Sequence, residues 1–320
     1  MSAPSPEPLI DVELTQISTT AEDTKLYELR RIDGQPMPPV EPGAHIDIYL
    51  PSGLIRQYSL TSAEGITDRY VVGVKKDAAS RGGSREMHDT FKPGMRLKIG
   101  GPRNNFELDP TASHTVLIAG GIGITPIWAM VQRLAAQGKS WQLYFSSRTR
   151  AQAAFLDGLA AHGSRVTLHF DDEAQGKFLD LAKVVAAAPE GTHFYCCGPT
   201  PMLDAFQEAT DKVPVENVHL EFFTSTQEAA TEGGYTVVLK ESGKEFYVPE
   251  GKTILDVLLD AKIPISHSCT MGICGSCETV VLEGIPDHRD DFLTPKEKEG
   301  NKTIMICCSG SLSSKLVLDL

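Results

Sequence analysis

The sequence predicts three modules in series: an antiparallel β-barrel over residues 9–110, a doubly wound parallel α/β domain over 111–223, and a β-grasp domain over 235–320. Three observations carry this reading. Short alternating apolar runs broken by Gly and Pro fill the first part, which marks half-buried antiparallel strands. Apolar runs interleaved with helical stretches fill the second, which marks βαβ units. Three of the seven cysteines crowd into nine positions near the C-terminal end, which marks metal ligation rather than a disulfide framework.

Residues 1–8 carry Pro4, Pro6 and Pro8 and read as a flexible tail. In the barrel, strands are expected over 44–50, 55–61, 70–75 and 95–99, with one short helix over 84–91. In the second module, strands over 115–119, 141–145, 166–169, 193–196 and 218–220 alternate with helices over 125–137, 151–162, 178–187 and 200–211. Five strands and four helices in alternation build a parallel sheet. Residues 224–234 hold no large apolar side chain and read as a linker. Beyond them, Glu241-Ser242-Gly243 sits between two strand-like runs as a hairpin signal. Thr253-x-x-Asp256 opens a helix with a capping-box pattern, and strands follow near 278–282, 304–306 and 316–318.

Composition narrows the function classes. With 41% hydrophobic and 22% charged residues, the 320-residue chain is globular, not collagenous, coiled-coil or disordered. Its best uncharged apolar run, 116–131, is interrupted by Gly120, Gly121, Gly123 and Pro126 and is too short for a membrane helix. No basic-then-apolar leader pattern is visible at the start, so a cytoplasmic location and no membrane partner are expected. A net charge of −12 disfavours a nucleic-acid partner.

The cysteine spacing is Cys269-x4-Cys274-x2-Cys277, with Cys307 following after 29 intervening residues. This is the plant-type [2Fe–2S] spacing, three thiolates on one loop and a fourth from a distant strand. Gly272, Gly275 and Ser276 are small enough for backbone amides to approach the sulfides. A structural zinc is the competing reading, but zinc sites usually pair two short C-x2-C knuckles and here the second is missing. By spacing alone Cys308 competes with Cys307 for the fourth position.

Two further patterns favour bound phosphate. Arg81-Gly82-Gly83-Ser84 opens the barrel's helix, and glycine amides at a helix N-terminus make an anion cradle. Arg56, in Arg56-Gln57-Tyr58-Ser59, supplies a charged wall opposite. Alone, the glycine pair is also consistent with an ordinary turn and N-cap. Gly120-Gly121-Ile122-Gly123-Ile124-Thr125-Pro126 follows a strand and opens a helix. It lacks the G-x-G-x-x-G fingerprint, yet the same physics favours a pyrophosphate there.

The segment Ser268-Cys269-Thr270-Met271-Gly272-Ile273-Cys274-Gly275-Ser276-Cys277, followed by Gly284-Ile285-Pro286-Asp287-His288-Arg289-Asp290, resembles the ferredoxin domain of phthalate dioxygenase reductase-type proteins, a group that includes vanillate demethylase reductases. Cys307-Cys308-Ser309-Gly310 matches the family's Cys-x-Ser-Arg motif, with Cys307 as ligand and Gly310 in place of Arg. The resemblance spans residues 9–320 in the order flavin, nicotinamide, ferredoxin. It implies FMN bound by Arg56, Tyr58, Ser59, Gly82, Gly83 and Ser84, with Tyr58 against the isoalloxazine. FAD is the competitor, although no aromatic for an adenine stands in 76–88. NADH would meet Gly121, Gly123, Thr125, Pro126, Arg148, Asp171, Cys197, Gly198 and Pro199, with Cys197 beside the nicotinamide and Phe223 near the flavin. Arg148 could meet a 2′-phosphate and so favour NADPH, whereas Asp171 and Asp172 would repel one. The expected acceptor is a Rieske-type oxygenase; a diaphorase with another acceptor and a non-enzymatic redox sensor stay open. Residues 233–320 carry thirteen acidic and nine basic side chains, a net charge of −4, which predicts weak, transient, electrostatic docking.

Overall fold

The computed structural model describes residues 9–62, 65–77 and 81–320; the expected tail over 1–8 lies outside them. Two compact units are formed, one over Leu9–Phe223 and one over Thr224–Leu320.

The first unit begins with β1 (Ile10–Ala21), β2 (Thr24–Arg31), β3 (His45–Tyr49), β4 (Ile55–Ser59), β5 (Tyr70–Lys75), α1 (Gly83–Thr90) and β6 (Arg96–Arg103). The six strands pair antiparallel in the order β4-β3-β6-β1-β2-β5. The sheet curls until its edge strands meet: Leu60 bridges Val72, and Thr61 N–H donates to Val71 O at 2.8 Å. Alternation does the sorting. Val12, Leu14, Ile46, Ile48 and Val72 fill the interior with Tyr27 and Tyr70.

The α/β half follows as β7 (Thr115–Gly120), α2 (Ile124–Ala136), β8 (Trp141–Ser147), α3 (Leu156–Ala160), β9 (Val166–Phe170), α4 (Leu181–Ala186), β10 (His193–Cys197), α5 (Thr200–Ala209) and β11 (Val218–Glu221). Its parallel order is β11-β10-β7-β8-β9. The central β7 is buried at every position, as a strand covered on both faces must be. Strand order reverses between β7 and β10, so a crevice opens beyond their carboxyl ends. Two expected helices are shorter than their apolar patterns suggest. Phe155 turns left-handed at φ 64° and donates its N–H to Thr20 Oγ1, so α3 starts only at Leu156. Asp180 caps α4 by accepting from Lys183 N–H at 3.0 Å, which delays that helix to Leu181.

The halves share packing. Ala21 and Phe106 enter the α/β core beside Phe145 and Tyr195. Gln132 of α2 donates to Thr61 O at 3.0 Å, and Arg133 pairs with Glu41. These contacts hold the chain just after β4 and just before β3 against the second half of α2.

The second unit contains β12 (Tyr235–Leu239), β13 (Glu245–Val248), α6 (Ile254–Asp260), β14 (Glu278–Glu283), β15 (Pro286–Asp287), α7 (Pro295–Gly300), β16 (Thr303–Met305), β17 (Gly310–Ser311) and β18 (Lys315–Leu318). Its main sheet runs β13-β12-β18-β14-β16, with β12 and β18 parallel, and α6 buries Ile254, Leu255 and Leu258 in the core. The Thr253–Asp256 capping box is present. The same signal, Thr294-x-x-Glu297, caps α7, a helix the sequence reading passed over. Residues 224–234 hold no helix or strand and are anchored to the domain that follows. Thr226 N–H donates to Asp291 Oδ2 at 2.7 Å, and Ala230 N–H to Cys308 O at 2.7 Å. Among the described residues no helix is long and apolar enough to cross a membrane.

On the barrel strand opposite Ile46 and Ile48 sits a polar pair. His45 and Asp47 are buried, with Asp47 Oδ2 accepting from Arg103 Nη2 at 2.7 Å. Burial, aided by Arg103 and opposed by Asp47, pushes His45 down to about 4. An unfolded histidine titrates near 6.5, so the unfolded chain takes up the proton first. The stability contributed by neutral His45 is therefore complete above that value and is lost as pH falls towards 4, at about 1.4 kcal/mol per pH unit within the window. The loss of unfolding free energy between about pH 7 and about pH 4.5, followed by circular dichroism, is expected to be smaller in His45→Gln than in the wild type. Equal losses would show that His45 does not titrate differently on unfolding.

Candidate functional site

The cysteine loop, residues 269–277, has no regular structure and depends on positive φ at Thr270, Gly272 and Gly275. At Gly272 a Cβ would lie 2.4 Å from Cys308 Sγ and 2.9 Å from Asp290 Cα; at Gly275 it would lie 2.5 Å from the Phe292 ring. Only glycine fits both the conformation and the space. Cys269, Cys274, Cys277 and Cys307 are all buried. The Cys274 and Cys269 thiols neighbour each other, as do those of Cys277 and Cys307, and Cys269 also neighbours Cys307. Hydrogen bonding to Cys269 and then burial push Cys274 up; hydrogen bonding to Cys307 and then burial do the same to Cys277. Met271 N–H donates to Cys269 Sγ at 3.3 Å.

Among the described residues no group of three or more His, Cys, Asp or Glu side chains has the spacing to hold a single metal ion. Two adjacent sulfur pairs free of carboxylates are the donor set for two metal atoms, and they fit a [2Fe–2S] cluster better than one zinc. Cys308 also packs its Sγ against Gly272 of this loop, where it faces Met305 O at 3.7 Å and Ser309 Oγ at 3.8 Å. The sequence reading set Cys307 and Cys308 on a strand, where neighbours alternate. Both lie instead in the turn after β16, closed by Cys308 N–H and Ser309 N–H donating to Met305 O.

In the barrel, Arg56 of β4 lies over the start of α1. A Cβ on Gly83 would meet Arg56 Cγ at 2.6 Å, so the side chain rests on the bare glycine. Arg56 Nη2 donates to Arg81 O at 2.9 Å, and its guanidinium is pushed down by burial and by the neighbouring Arg81. Two guanidinium groups at a helix N-terminus make a place for an anion. Asp77 N–H donates to Ser84 Oγ at 3.3 Å. Tyr58 is half-buried against the barrel core, its hydroxyl pushed up to about 12 by burial. Ser59 is buried beside it.

At the α/β crevice, the turn after β7 and the end of β10 meet backbone to backbone. A Cβ on Gly123 would lie 2.1 Å from Cys197 O; one on Gly198 would lie 3.2 Å from Gly120 Cα. Thr125 and Pro126 are buried in the first turn of α2, with Thr125 Oγ1 donating to Ile122 O at 2.9 Å. Pro199 leads into α5. Cys197 is buried with its Sγ 3.7 Å from Glu221 Oε2. Burial, then Glu221, push the Cys197 thiol well up, and burial pushes Glu221 up to about 8. Phe223 packs half-buried on the α/β core, separate from the barrel core that holds Tyr58. Arg148 is exposed; its carbonyl accepts from Asp172 N–H, and Asp171 N–H donates to Ser147 O. The functional pairing of Glu221 with Cys197 was not assigned from sequence, although its place as the last residue of β11, at the crevice edge, was a usable signal.

Comparison with known proteins follows the same division. Residues 237–310 match the 2Fe-2S iron-sulfur cluster binding domain, and residues 95–220 match the dimethylamine monooxygenase subunit DmmA-like N-terminal domain. The chain is 48% identical over 320 residues, the whole of both chains, to phenoxybenzoate dioxygenase subunit beta of Ectopseudomonas oleovorans. It is also 48% identical to tetrachlorobenzoquinone reductase of Sphingobium chlorophenolicum, over 99% of each chain. The solved structure of phthalate dioxygenase reductase, described as modular for electron transfer from pyridine nucleotides to [2Fe–2S], superposes with a TM-score of 0.76 at 38% identity over 98% of each chain.

Cys307→Ser is expected to abolish iron and acid-labile sulfide, and Cys308→Ser to retain both, as measured per chain on purified protein. The reverse pattern would move the fourth ligand to Cys308.

Proposed function

The chain belongs to the phthalate dioxygenase reductase family, and we propose that it carries electrons from NADH through FMN and a [2Fe–2S] cluster to a Rieske-type oxygenase. The observation that supports this most is the paired, buried cysteine quartet in a chain that also holds an arginine-lined helix N-terminus and a glycine-rich crevice. When bound, the cofactors supply hydride acceptance and one-electron release.

The chain's own residues bind and orient. Arg56, Gly82, Gly83 and Ser84 would hold the FMN phosphate, with Tyr58 and Ser59 along the ring. Gly121, Gly123, Thr125 and Pro126 would receive the pyrophosphate at the start of α2. Cys197, Gly198 and Pro199 would lie along the nicotinamide, with Phe223 as the aromatic of the same site. With Glu221 pushed up to about 8 and Cys197 higher still, this pair is mostly protonated and uncharged near neutral pH. It thus places no anion where the nicotinamide docks. Asp171 and Asp172, just after β9, support NADH over NADPH, because an added 2′-phosphate would meet their negative charge. Arg148 would meet the ribose or pyrophosphate. One hydride carries two electrons, so each NADH serves two one-electron acceptor centres.

The acidic balance of residues 233–320 supports a partner with a basic docking patch and a transient complex. The location proposed is the cytoplasm, consistent with seven free cysteines. A second reading rests on the relative named for tetrachlorobenzoquinone: a quinone takes two electrons and two protons to the hydroquinone without any protein partner.

Arg56→Ala is expected to weaken flavin binding about ten- to a hundredfold, the equivalent of about 1.5–3 kcal/mol for a lost charge-assisted contact. Flavin retained through dialysis, with the cluster absorbance as internal control, measures it; unchanged retention would make Arg56 a packing residue only.

The function itself is tested by mixing NADH-reduced protein with a Rieske oxygenase, and separately with a chlorinated benzoquinone, across ionic strength. The Debye length falls from roughly 30 Å at 0.01 M to about 10 Å at 0.1 M salt. The second-order rate to the oxygenase is expected to fall steeply over that range. A flat profile would exclude charge-steered docking, and fast quinone reduction with none of the oxygenase would favour the second reading.

A further inference from the structure

The segment Asp287-His288-Arg289-Asp290-Asp291 is accounted for by no ligand role, yet Arg289, Asp290 and Asp291 contact the cysteine loop or the turn after β16. Arg289 N–H donates to Ser309 Oγ at 3.0 Å, next to Cys308, and Asp291 N–H donates to Gly272 O at 3.0 Å. Asp291 also holds Thr226 and Ser225 through its carboxylate.

Asp290 is the centre of this clasp and has no exposed surface at all. Its backbone lies against Gly272, midway between Cys269 and Cys274. Its Oδ1 accepts from Phe292 N–H at 3.1 Å and Leu293 N–H at 2.7 Å. That turn sets the Phe292 ring over Gly275, between Cys274 and Cys277. Its Oδ2 has no hydrogen-bond partner and faces His288 Nδ1, likewise unpartnered, at 3.7 Å. His288 Nε2 is tied to Asn301 Oδ1 at 3.3 Å. From α7, Lys298 Nζ lies 4.0 Å from Oδ1 and donates to the Asp290 carbonyl.

We propose that Asp290 is a positioning residue for the metal-ligand loop whose buried carboxylate holds down the reduction potential of the cluster bound there. This rests on the reading of the four cysteines as a [2Fe–2S] site. Reduction adds one negative charge, and a buried anion carried by the residue whose Cα and Cβ pack on Gly272 opposes it in a poorly screened interior, whereas the Lys298 ammonium beside that anion favours it. The two side chains therefore pull the potential in opposite directions, which a purely structural clasp would not do.

The test uses the full-length protein with flavin and cluster in place, titrated spectroelectrochemically and followed by the electron paramagnetic resonance of the reduced cluster. Asp290→Asn keeps the acceptor for Phe292 and Leu293 and removes the charge. Its expected result is an unchanged resonance line shape with the midpoint shifted positive. Lys298→Gln is expected to shift the midpoint negative, and Asp290→Ala, which loses charge and acceptor together, to lower iron per chain. Midpoints unchanged in both charge variants, or moved the same way, overturn the proposal. If Asp290→Asn does not load iron, Lys298→Gln alone decides: a negative shift supports the assignment, and no shift or a positive one overturns it. A wild-type protein without iron and the reduced-cluster resonance would instead sink the cluster reading itself, a different result from a loaded protein whose potential does not move.

Discussion

Four sulfur donors must converge in a buried part of the chain, and the C-terminal unit is organised around that constraint. Cys274 and Cys277 are pushed up by their thiol neighbours and by burial. Metal binding releases those protons, so the free energy of the site includes the work of holding four thiolates together. A loop with three positive-φ residues and no regular hydrogen-bond ladder cannot supply that rigidity by itself. It comes from outside the loop: Asp290 and Asp291 at Gly272, Phe292 over Gly275, and the Ala230–Cys308 bond. The small strand pair β15–β17, which joins Pro286 to Ser311, brings the clasp and the fourth ligand's turn to one place.

The first unit solves a different problem, close approach of neutral backbone rather than convergence of charge. A dinucleotide needs bare amides at a helix start, and the parallel sheet delivers two such ends side by side where strand order reverses. Gly123 against the Cys197 carbonyl leaves no room for any side chain. The barrel repeats the device at α1, where Gly83 lets Arg56 lie flat against the helix start. Packing between the halves, through Gln132 on Thr61 and the shared residues Ala21 and Phe106, joins the barrel to the α/β half within one unit.

Strands were legible because the apolar period is strong: β5 occupies the expected 70–75, and β7 runs as one buried stretch. Fold class followed from the change of period near residue 110. Helix starts were less so. Nothing in the local pattern announces that Phe155 takes a left-handed conformation to reach Thr20, a contact more than a hundred residues away in sequence. The cysteine spacing and the glycine turns stood out in the sequence, since metal chemistry restricts spacing, and the structure buries all four cysteines of that pattern. Glu221 stands at the end of β11, where an acidic or aromatic residue was expected, but its contact with Cys197 was not legible, and nothing local marked Asp290, which is fully buried against Gly272. Cys307 and Cys308 show the limit of local reasoning: they lie in the turn through Met305 rather than on a strand.

The acceptor is the part of the function that fold and cofactor sites constrain least. Hydride transfer needs two rings held face to face, so the residues around a nicotinamide and a flavin must be shaped closely. Onward transfer of single electrons makes no bond; it needs only approach and a favourable potential. Charge on the approaching surface affects the first, and buried charge near a redox centre affects the second. Neither depends on core packing, so a chain can keep its barrel, its sheet and its cysteine loop while the acceptor changes. Relatives equally similar to this chain do carry names for different acceptors, a dioxygenase system and a quinone. On the proposed function, partner choice in this protein would rest on the acidic balance of residues 233–320 and on charge packed behind the ligand loop rather than on the elements that identify its family.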